Sequence, residues 1–175
     1  MENYICKIAT LEELIKKADY EINRHQGNMM WVEFKKRAIK NFNEGNTITY
    51  IGILNNDIIC EATAIIKEKG FIADIKDTTG LLADGRAYLS GFRTNKEYEG
   101  KGYFSKLYHF MEKDLKEKGY TSLSLGVSPE EVRNCQIYEK WGFTNFIKTT
   151  TETYPPKDEH SEPMTETANY YYKNI

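Results

Sequence analysis

Two closely spaced glycines stand where a predicted strand gives way to the longest predicted helix, in the stretch EGKGYFS at residues 99–105. Apolar residues recur at helical spacing over residues 102–118, and the preceding run from Arg86 to Thr94 is typical of a strand. Glycine lets the backbone turn tightly and leaves its amides uncovered by a Cβ. Because the first amides of a helix lack internal partners and lie at the positive end of its dipole, this junction suits a phosphate or pyrophosphate.

The spacing of these glycines differs from that of two common phosphate-binding motifs. No Gly-Lys-Ser/Thr follows a four-residue spacer, as it does in a Walker loop. The third glycine of the dinucleotide fingerprint is also missing. A turn that starts a helix and binds nothing remains an alternative at this point, since short glycine motifs match by chance.

The other periodic runs predict a mixed α/β sheet. Strands are predicted at residues 4–9, 47–54, 58–66, 86–94, 121–127, 143–153 and 165–173. Helices are predicted after a capping box formed by Thr10 and Glu13, over residues 31–42 and 102–118, and from Pro129 to a stop at Gly142. No repeat or linker interrupts the 175 residues, so we expect residues 1–175 to form a single domain.

Charge and composition exclude several classes of partner. The 24 Lys and Arg residues against 26 Asp and Glu residues give a net charge of -2, which argues against a nucleic-acid partner. No apolar run reaches the length of a membrane span, and the N-terminal residues lack the pattern of a signal peptide. Three dispersed cysteines favour reduced thiols and predict neither a disulfide framework nor a metal site. We therefore expect a cytoplasmic protein.

Four residues of the last predicted helix lie on one stripe, because Asn134, Ile137, Tyr138 and Trp141 are spaced i, i+3, i+4 and i+7. The amide and the phenol on this largely apolar stripe need partners, since burying either one unpaired costs about 1–3 kcal/mol. Neighbouring backbone groups could satisfy both side chains. Alternatively, a tyrosine beside a cofactor thiol could act as a general acid.

Three stretches together resemble the GNAT superfamily of N-acetyltransferases: YLSGFRT at 88–94, YEGKGYF at 98–104 and IYEKWGF at 137–143. The resemblance implies a mixed, mostly antiparallel twisted sheet of about six to seven strands, flanked by about four helices. In that family two neighbouring strands part to hold acetyl-CoA. The contacts implied for acetyl-CoA lie on the first of these strands and on the glycine stretch, at Phe92, Arg93, Thr94, Glu99, Gly100, Lys101, Gly102, Tyr103, Phe104 and Ser105. A contact of the pantetheine arm with Asn134 is expected from the geometry of the last helix rather than from a matching family residue.

The implied function is an acetyl-CoA-dependent N-acyltransferase that moves an acetyl group to a primary amine by direct transfer in a ternary complex. Tyr138 matches the residue that protonates the departing CoA thiolate in the family. The implied acceptor is a small-molecule amine or a peptide amine, with no metal, and a homodimer is compatible with the family. No cysteine is placed for a covalent intermediate, since Cys135 points off the Tyr138 stripe.

The sequence departs from the family pattern at four positions. Glu99 stands where the family usually has Arg or Gln, and Phe104 stands where it has a small residue. Glu131 replaces a family Asn, while Asn134 occupies a place usually held by Ala. The first two departures support an alternative, a non-catalytic acyl-CoA-binding sensor or interaction module on the same fold. A nucleotide-binding protein of another fold is a further alternative.

The general base is the least constrained element of the predicted site. Glu61 interrupts an apolar strand and is expected to share a strand face with Ile59 and Thr63, where it could serve as base or be paired structurally. Water could instead relay the proton to a remote carboxylate. His25 falls in a loop that helps wall the acceptor pocket in the family, and a solvated surface histidine is the alternative. The tyrosine-rich C-terminal strand and the loop over residues 154–163 could shape the same pocket, or the tyrosines could simply pack within the sheet.

Overall fold

One eight-stranded sheet and four α-helices make up residues 3–175, which a computed structural model describes. The strands are β1 Tyr4–Ile8, β2 Thr47–Leu54, β3 Asp57–Ile65, β4 Asp74–Ile75, β5 Arg86–Thr94, β6 Ser122–Val127, β7 Asn145–Tyr154 and β8 Met164–Asn174. The helices are α1 Leu11–Arg24, α2 Met29–Asn43, α3 Tyr103–Glu117 and α4 Val132–Lys140, and short 3₁₀ turns cover Glu68–Gly70 and Lys96–Tyr98.

The sheet opens between its two central strands. Its order is β1-β2-β3-β5-β6-β8-β7-β4, and every neighbouring pair is antiparallel except β5 and β6. These two parallel strands pair only from Arg86–Ser122 to Leu89–Leu125. Beyond Leu89, β5 continues beside β3, while β6 continues beside β8, so a gap separates them. The predicted mixed, mostly antiparallel sheet flanked by four helices is confirmed.

Local sequence signals account for several boundaries. The Thr10 hydroxyl accepts from the Glu13 amide while the Glu13 carboxylate accepts from the Thr10 amide, which confirms the predicted capping box. Asn55 and Asn56 have φ values of 50° and 75°, the left-handed conformations that a tight hairpin between β2 and β3 requires. Both features place their elements where the sequence predicts them.

Two helix starts and one short strand depart from the predictions, while most other ends differ by one or two residues. Helix α4 begins at Val132 rather than Pro129, because residues 128–131 form a turn in which the Glu131 amide donates to the Ser128 carbonyl. Helix α2 begins at Met29, two residues early, since the Asn28 side chain caps it by accepting from the Met30 amide. Strand β4 was not predicted, because two residues are too few to show a periodicity.

The helices cover opposite faces of the sheet. The apolar stripe of α3, including Leu107, Met111 and Leu115, is fully buried against residues such as Tyr50 and Leu123. Helix α4 packs against the same cluster through Tyr138 and Trp141, whereas α1 and α2 lie over the other face of β2 and β3. The gap between β5 and β6 is therefore approached from both faces.

Candidate active site

A β-bulge interrupts β5 next to the gap in the sheet. Ser90 pairs with Thr63 and Arg93 pairs with Glu61, so Gly91 and Phe92 together oppose one residue of β3. Gly91 has a φ of 63°, a conformation that glycine adopts without strain. Because a bulge bends its strand and increases the local twist, it helps to direct β5 away from β6 beyond Leu89.

A cavity of about 500 Å³ lies between the end of β5, the glycine stretch and α4, and we call it the glycine groove. It brings together most of the residues that the resemblance implies for acetyl-CoA. Its lining consists of Phe92, Thr94, Tyr98, Glu99, Gly100, Gly102, Tyr103, Phe104, Ser105, Arg133, Asn134, Ile137, Tyr138, Lys140 and Trp141. The side chains of Arg93 and Lys101 lie outside this lining.

Backbone amides that have no acceptor among the described residues lie beside this groove at the start of α3. Gly100 and Gly102 have φ values of 73° and 83°, and nothing lies within 4 Å of where a Cβ would project from either residue. No side chain of the described residues caps the helix at Gly102. Within residues 3–175, no acceptor is bound by the amides of Gly100, Lys101, Gly102, Phe104 and Ser105. Such amides at a helix start match an anionic ligand.

Two cationic side chains of α4, which were not predicted from the sequence, also line the groove. Arg133 and Lys140 are both exposed and lie seven residues apart, a spacing that repeats on one side of a helix. That spacing, combined with the predicted Tyr138 stripe, was a signal that could have identified them. Their positive charges partly offset the negative charge of Glu99, whose exposed side chain also borders the groove.

Tyr138 lines the glycine groove and also a second cavity. Its ring contacts Phe92 edge-on, with centroids 6.0 Å apart, and lies 5.9 Å from the Trp141 ring. Its hydroxyl makes no hydrogen bond to any group in the described part of the chain. Burial raises the pKa of the Tyr138 phenol above its usual range, and the charge of Glu131 adds to the rise. The phenol is therefore protonated at neutral pH.

The second cavity, of about 570 Å³, reaches Tyr138 from the side of α2, and we call it the acidic cavity. It shares Phe92, Asn134 and Tyr138 with the glycine groove. Its aromatic lining includes Trp31, Phe34, Phe71, Tyr88 and Tyr154, and its charged lining consists of Arg93, Glu131, Glu152 and Glu166. Asn134 donates to Glu131 at 3.1 Å, so its amide is satisfied on its own helix.

Glu61 is held in an ion pair beside the acidic cavity. Its Oε1 lies 2.5 Å from Nη1 of Arg93, whose guanidinium lies 4.9 Å from the Trp31 ring. The expectation that Glu61 shares a face with Ile59 is wrong. A bulge leaves Ile59 without a partner on β2, so Ile59 packs in the core beneath α3 while Glu61 faces α1 and α2.

The histidines line neither cavity. His25 stacks on Trp31 with ring centroids 4.5 Å apart, so Trp31 rather than His25 presents its ring to the acidic cavity. His109 and His160 are exposed. Among the tyrosines expected near the acceptor, Tyr154 lines the cavity, while Tyr170 is buried behind it and donates to Glu152.

Within residues 3–175, no three His, Cys, Asp or Glu side chains are grouped so that they could hold a metal ion. None of the helices in that same range combines the length and the apolar character needed to cross a bilayer.

Solved structures with the same fold include several acetyltransferases. An N-acetyltransferase from Staphylococcus aureus Mu50 is 14% identical, with a TM-score of 0.65, and the match covers 98% of each chain. The ribosomal-protein-S18-alanine N-acetyltransferase from Escherichia coli is 17% identical, with a TM-score of 0.60, over 99% of this chain and 94% of that one. No curated protein sequence matches this chain.

A third structure was solved with a ligand. It is a putative streptothricin acetyltransferase from Bacillus anthracis str. Ames in complex with acetyl coenzyme A, 20% identical, with a TM-score of 0.51, over 74% of this chain and 63% of that one. The model of the acetyltransferase (GNAT) family matches residues 11–143, which include helix α1, the parted strands, the glycine groove and the Tyr138 stripe. The chain therefore belongs to the GNAT acetyltransferase family.

Proposed function

We propose that this protein is an acetyl-CoA-dependent N-acetyltransferase that moves the acetyl group directly to a primary amine. One observation carries the proposal: the unbonded, protonated hydroxyl of Tyr138 belongs to a residue that lines both the glycine groove and the acidic cavity. A residue shared by two cavities can contact a donor in one and an acceptor in the other. This arrangement suits a ternary complex, in which both substrates are bound at once.

The glycine groove fits acetyl-CoA by the chemistry of its lining. Free amides around Gly100 and Gly102 can bind the pyrophosphate, and Arg133 and Lys140 add positive charge at the opposite wall. Beyond Leu89, the edge of β5 that faces the gap pairs with no strand of the described residues, so its backbone can pair with the pantetheine amides. Phe92, Thr94 and Asn134 border this part of the groove, whereas Arg93 is not part of its lining.

Acetyl transfer breaks the C–S bond of the thioester while the amine nitrogen forms a C–N bond. The sulfur gains a proton and the amine loses one. Tyr138 is suited to supply the proton, because its hydroxyl is protonated at neutral pH and makes no hydrogen bond within the described residues, so it is free to donate to a sulfur anion beside it. A backbone amide of β5 is suited to bind the carbonyl oxygen as negative charge develops on it.

We assign the departure of the amine proton to water and the carboxylates of the acidic cavity rather than to Glu61. The ion pair with Arg93 occupies the Glu61 carboxylate, and Glu61 lines a small recess of about 40 Å³ instead of the cavity that contains Tyr138. A chain of water molecules in the cavity can carry the proton to an exposed carboxylate such as Glu131.

A non-catalytic acyl-CoA-binding module is a second candidate, favoured by Phe104. Its ring lies 5.0 Å from the ring of Phe92 and 6.1 Å from that of Trp141, so a large side chain takes up space within the groove. Glu99 also places a negative charge at the groove. These two residues would weaken binding of acetyl-CoA without removing the backbone amides.

Ligand-dependent melting followed by an amine panel tests the proposal. Acetyl-CoA at about 100 times its Kd should raise the Tm by about 5 °C or more, while ATP should not. Release of free CoA is then measured with mono-, di- and triamines, amino acids and peptides. Binding with turnover on any amine supports the enzyme, and binding without turnover supports the non-catalytic module. No Tm change at millimolar acetyl-CoA would contradict both.

A further inference from the structure

The acidic cavity carries a net negative charge that its own residues do not neutralise. Arg93 is the one cation in its lining within residues 3–175, and that guanidinium is already paired with Glu61. The three carboxylates of the lining, Glu131, Glu152 and Glu166, have no Lys, Arg or His within 4 Å in the described chain. An amine that occupies this cavity therefore meets uncompensated negative charge.

Two of these carboxylates are placed against each other. Glu152 on β7 pairs directly with Glu166 on β8, so both side chains project from the same face of the sheet. Like charges directly opposite each other are destabilising in a sheet, and a cation between them relieves the repulsion. Glu152 is only 8% exposed, while Glu166 is exposed and borders the cavity mouth.

Tyrosine hydroxyls fix the orientation of the buried carboxylate. Tyr154 donates to one oxygen of Glu152, and Tyr170 donates to the other at 2.5 Å. The Tyr154 ring in turn contacts Phe34 edge-on at 6.3 Å, and Phe34 contacts Trp31 at 5.8 Å. These aromatic faces continue from the carboxylates along the wall of the cavity, and aromatic faces attract cations as well as methylene groups.

We propose, resting on the proposed function, that the acceptor is an aliphatic amine with a second, cationic amino group, that is, a diamine or polyamine. The Glu152–Glu166 pair holds the cationic end, and the aromatic wall contacts the methylene chain. The other amino group, in its neutral form, reaches Tyr138 at the glycine groove. There its nitrogen forms the C–N bond as the thioester C–S bond breaks, its proton leaves to water, and Tyr138 protonates the sulfur.

Matched acceptors test this assignment through the rate of free-CoA release. Butylamine, 1,4-diaminobutane and 4-aminobutanoate share a four-carbon chain and differ in the group at the far end, which is apolar, cationic or anionic. The diamine should have a kcat/KM at least about tenfold above that of butylamine, and the amino acid should be the poorest acceptor. Longer diamines and a triamine extend the series.

Glu166→Gln provides the matching variant, because Glu166 is exposed and its replacement leaves the core intact. It should raise the KM for the diamine about tenfold, with little change in kcat and no change for butylamine. Glu152→Gln should act in the same direction, with its Tm measured to verify folding. Glu159→Gln is the control, since Glu159 is exposed and lines neither cavity.

Each outcome bears on one proposal or on both. Three results would overturn the cationic acceptor without contradicting acetyl transfer. They are an equal kcat/KM for the diamine and butylamine, turnover confined to amines without a second positive charge, and an equal loss of activity with both acceptors in Glu166→Gln. No CoA release with any amine would overturn both. A preference for the diamine that Glu166→Gln removes selectively supports the inference.

Discussion

The two cavities that meet at Tyr138 are built in different ways. The glycine groove presents backbone amides from one short stretch, residues 99–105, against a single helix. The acidic cavity presents side chains from α2, β5, α4, β7 and β8, which are far apart in the sequence. The first construction binds a ligand through groups that every residue has. The second would bind through the chemistry of particular side chains, and under the proposed function it is the part that would determine which acceptor is used.

The charge of each cavity is complementary to the charge of the ligand proposed for it. Free amides, Arg133 and Lys140 face the glycine groove, whereas three carboxylates without cationic partners in the described chain face the acidic cavity. An anionic donor and a cationic acceptor would each be attracted to one side of Tyr138 and repelled from the other. Substitutions that affect one side alone are the sharpest way to test this division.

The largest effect is expected from Tyr138→Phe, which removes the hydroxyl from one of the three residues that line both cavities. Loss of the proton donor should lower kcat about 100-fold, because a positioned general acid contributes about 10²–10⁴-fold to a rate. The Kd for acetyl-CoA should stay within about twofold, since the ring and its contacts with Phe92 and Trp141 remain. Steady-state rates of CoA release and isothermal titration measure the two quantities.

Tyr120→Phe is the matched control, because Tyr120 follows the far end of α3 and lines neither cavity. It should leave both kcat and Kd unchanged. If Tyr138→Phe keeps its full kcat on an acceptor that the native protein uses, the phenol is not the proton donor. Tyr138 would then not connect the donor in one cavity with the acceptor in the other, as the proposed function requires.

The contrast in construction also explains what could be predicted from the sequence. Residues 99–105 are consecutive and stand at a strand-to-helix junction, so local rules for glycine and for helix starts were sufficient to identify the stretch. Tyr138 and Trp141 lie on one helix, so their common stripe follows from helical spacing. Arg133 and Lys140 obey the same spacing, but exposed cations on a helix rarely stand out from a solvated face.

The acidic cavity could not be predicted in this way. Glu152 and Glu166 are separated by a proline-containing loop, and only the register of β7 against β8 places them opposite each other. The bulge at Ile59 was equally unpredictable from local patterns. Period-two spacing assigns Ile59 and Glu61 to the same face, but one unpaired residue places Ile59 on the opposite face. Register and bulges depend on pairing between distant segments, which local patterns do not encode.

A smaller effect is expected from Gly102→Ala, which alters only the glycine groove. A Cβ at a φ of 83° costs about 1–2 kcal/mol in the backbone, and its relief would turn the amides away from their present direction. The Kd for acetyl-CoA should rise about tenfold, a change of about 1.4 kcal/mol. Binding of a cationic amine, measured without acetyl-CoA, should not change.

Gly119→Ala separates backbone strain from ligand binding. Gly119 ends α3 with a φ of 94°, and nothing lies within 4 Å of the Cβ position there either. Both variants should therefore lose a similar part of their free energy of unfolding, while only Gly102→Ala weakens acetyl-CoA binding. An equal loss of affinity in both variants would mean that global destabilisation, not the amide cradle, controls the groove.

The smallest effect is expected from Arg133→Ala, which removes one exposed cation from the rim of the glycine groove. Exposed ion pairs contribute about 0.2–1 kcal/mol, so the Kd for acetyl-CoA should rise about two- to fivefold. Screening weakens such contacts, and the difference from the native protein should shrink between 0.05 and about 0.5 M NaCl. Lys116→Ala is the control, since it removes another exposed cation, near the C-terminal end of α3, and should change nothing.

The same two variants test whether the cavities act separately. Because the amine should be attracted to the acidic cavity whether or not Arg133 is present, the KM for a diamine should stay constant in both variants. A change in that KM would show that the two cavities are electrostatically coupled rather than separately charged.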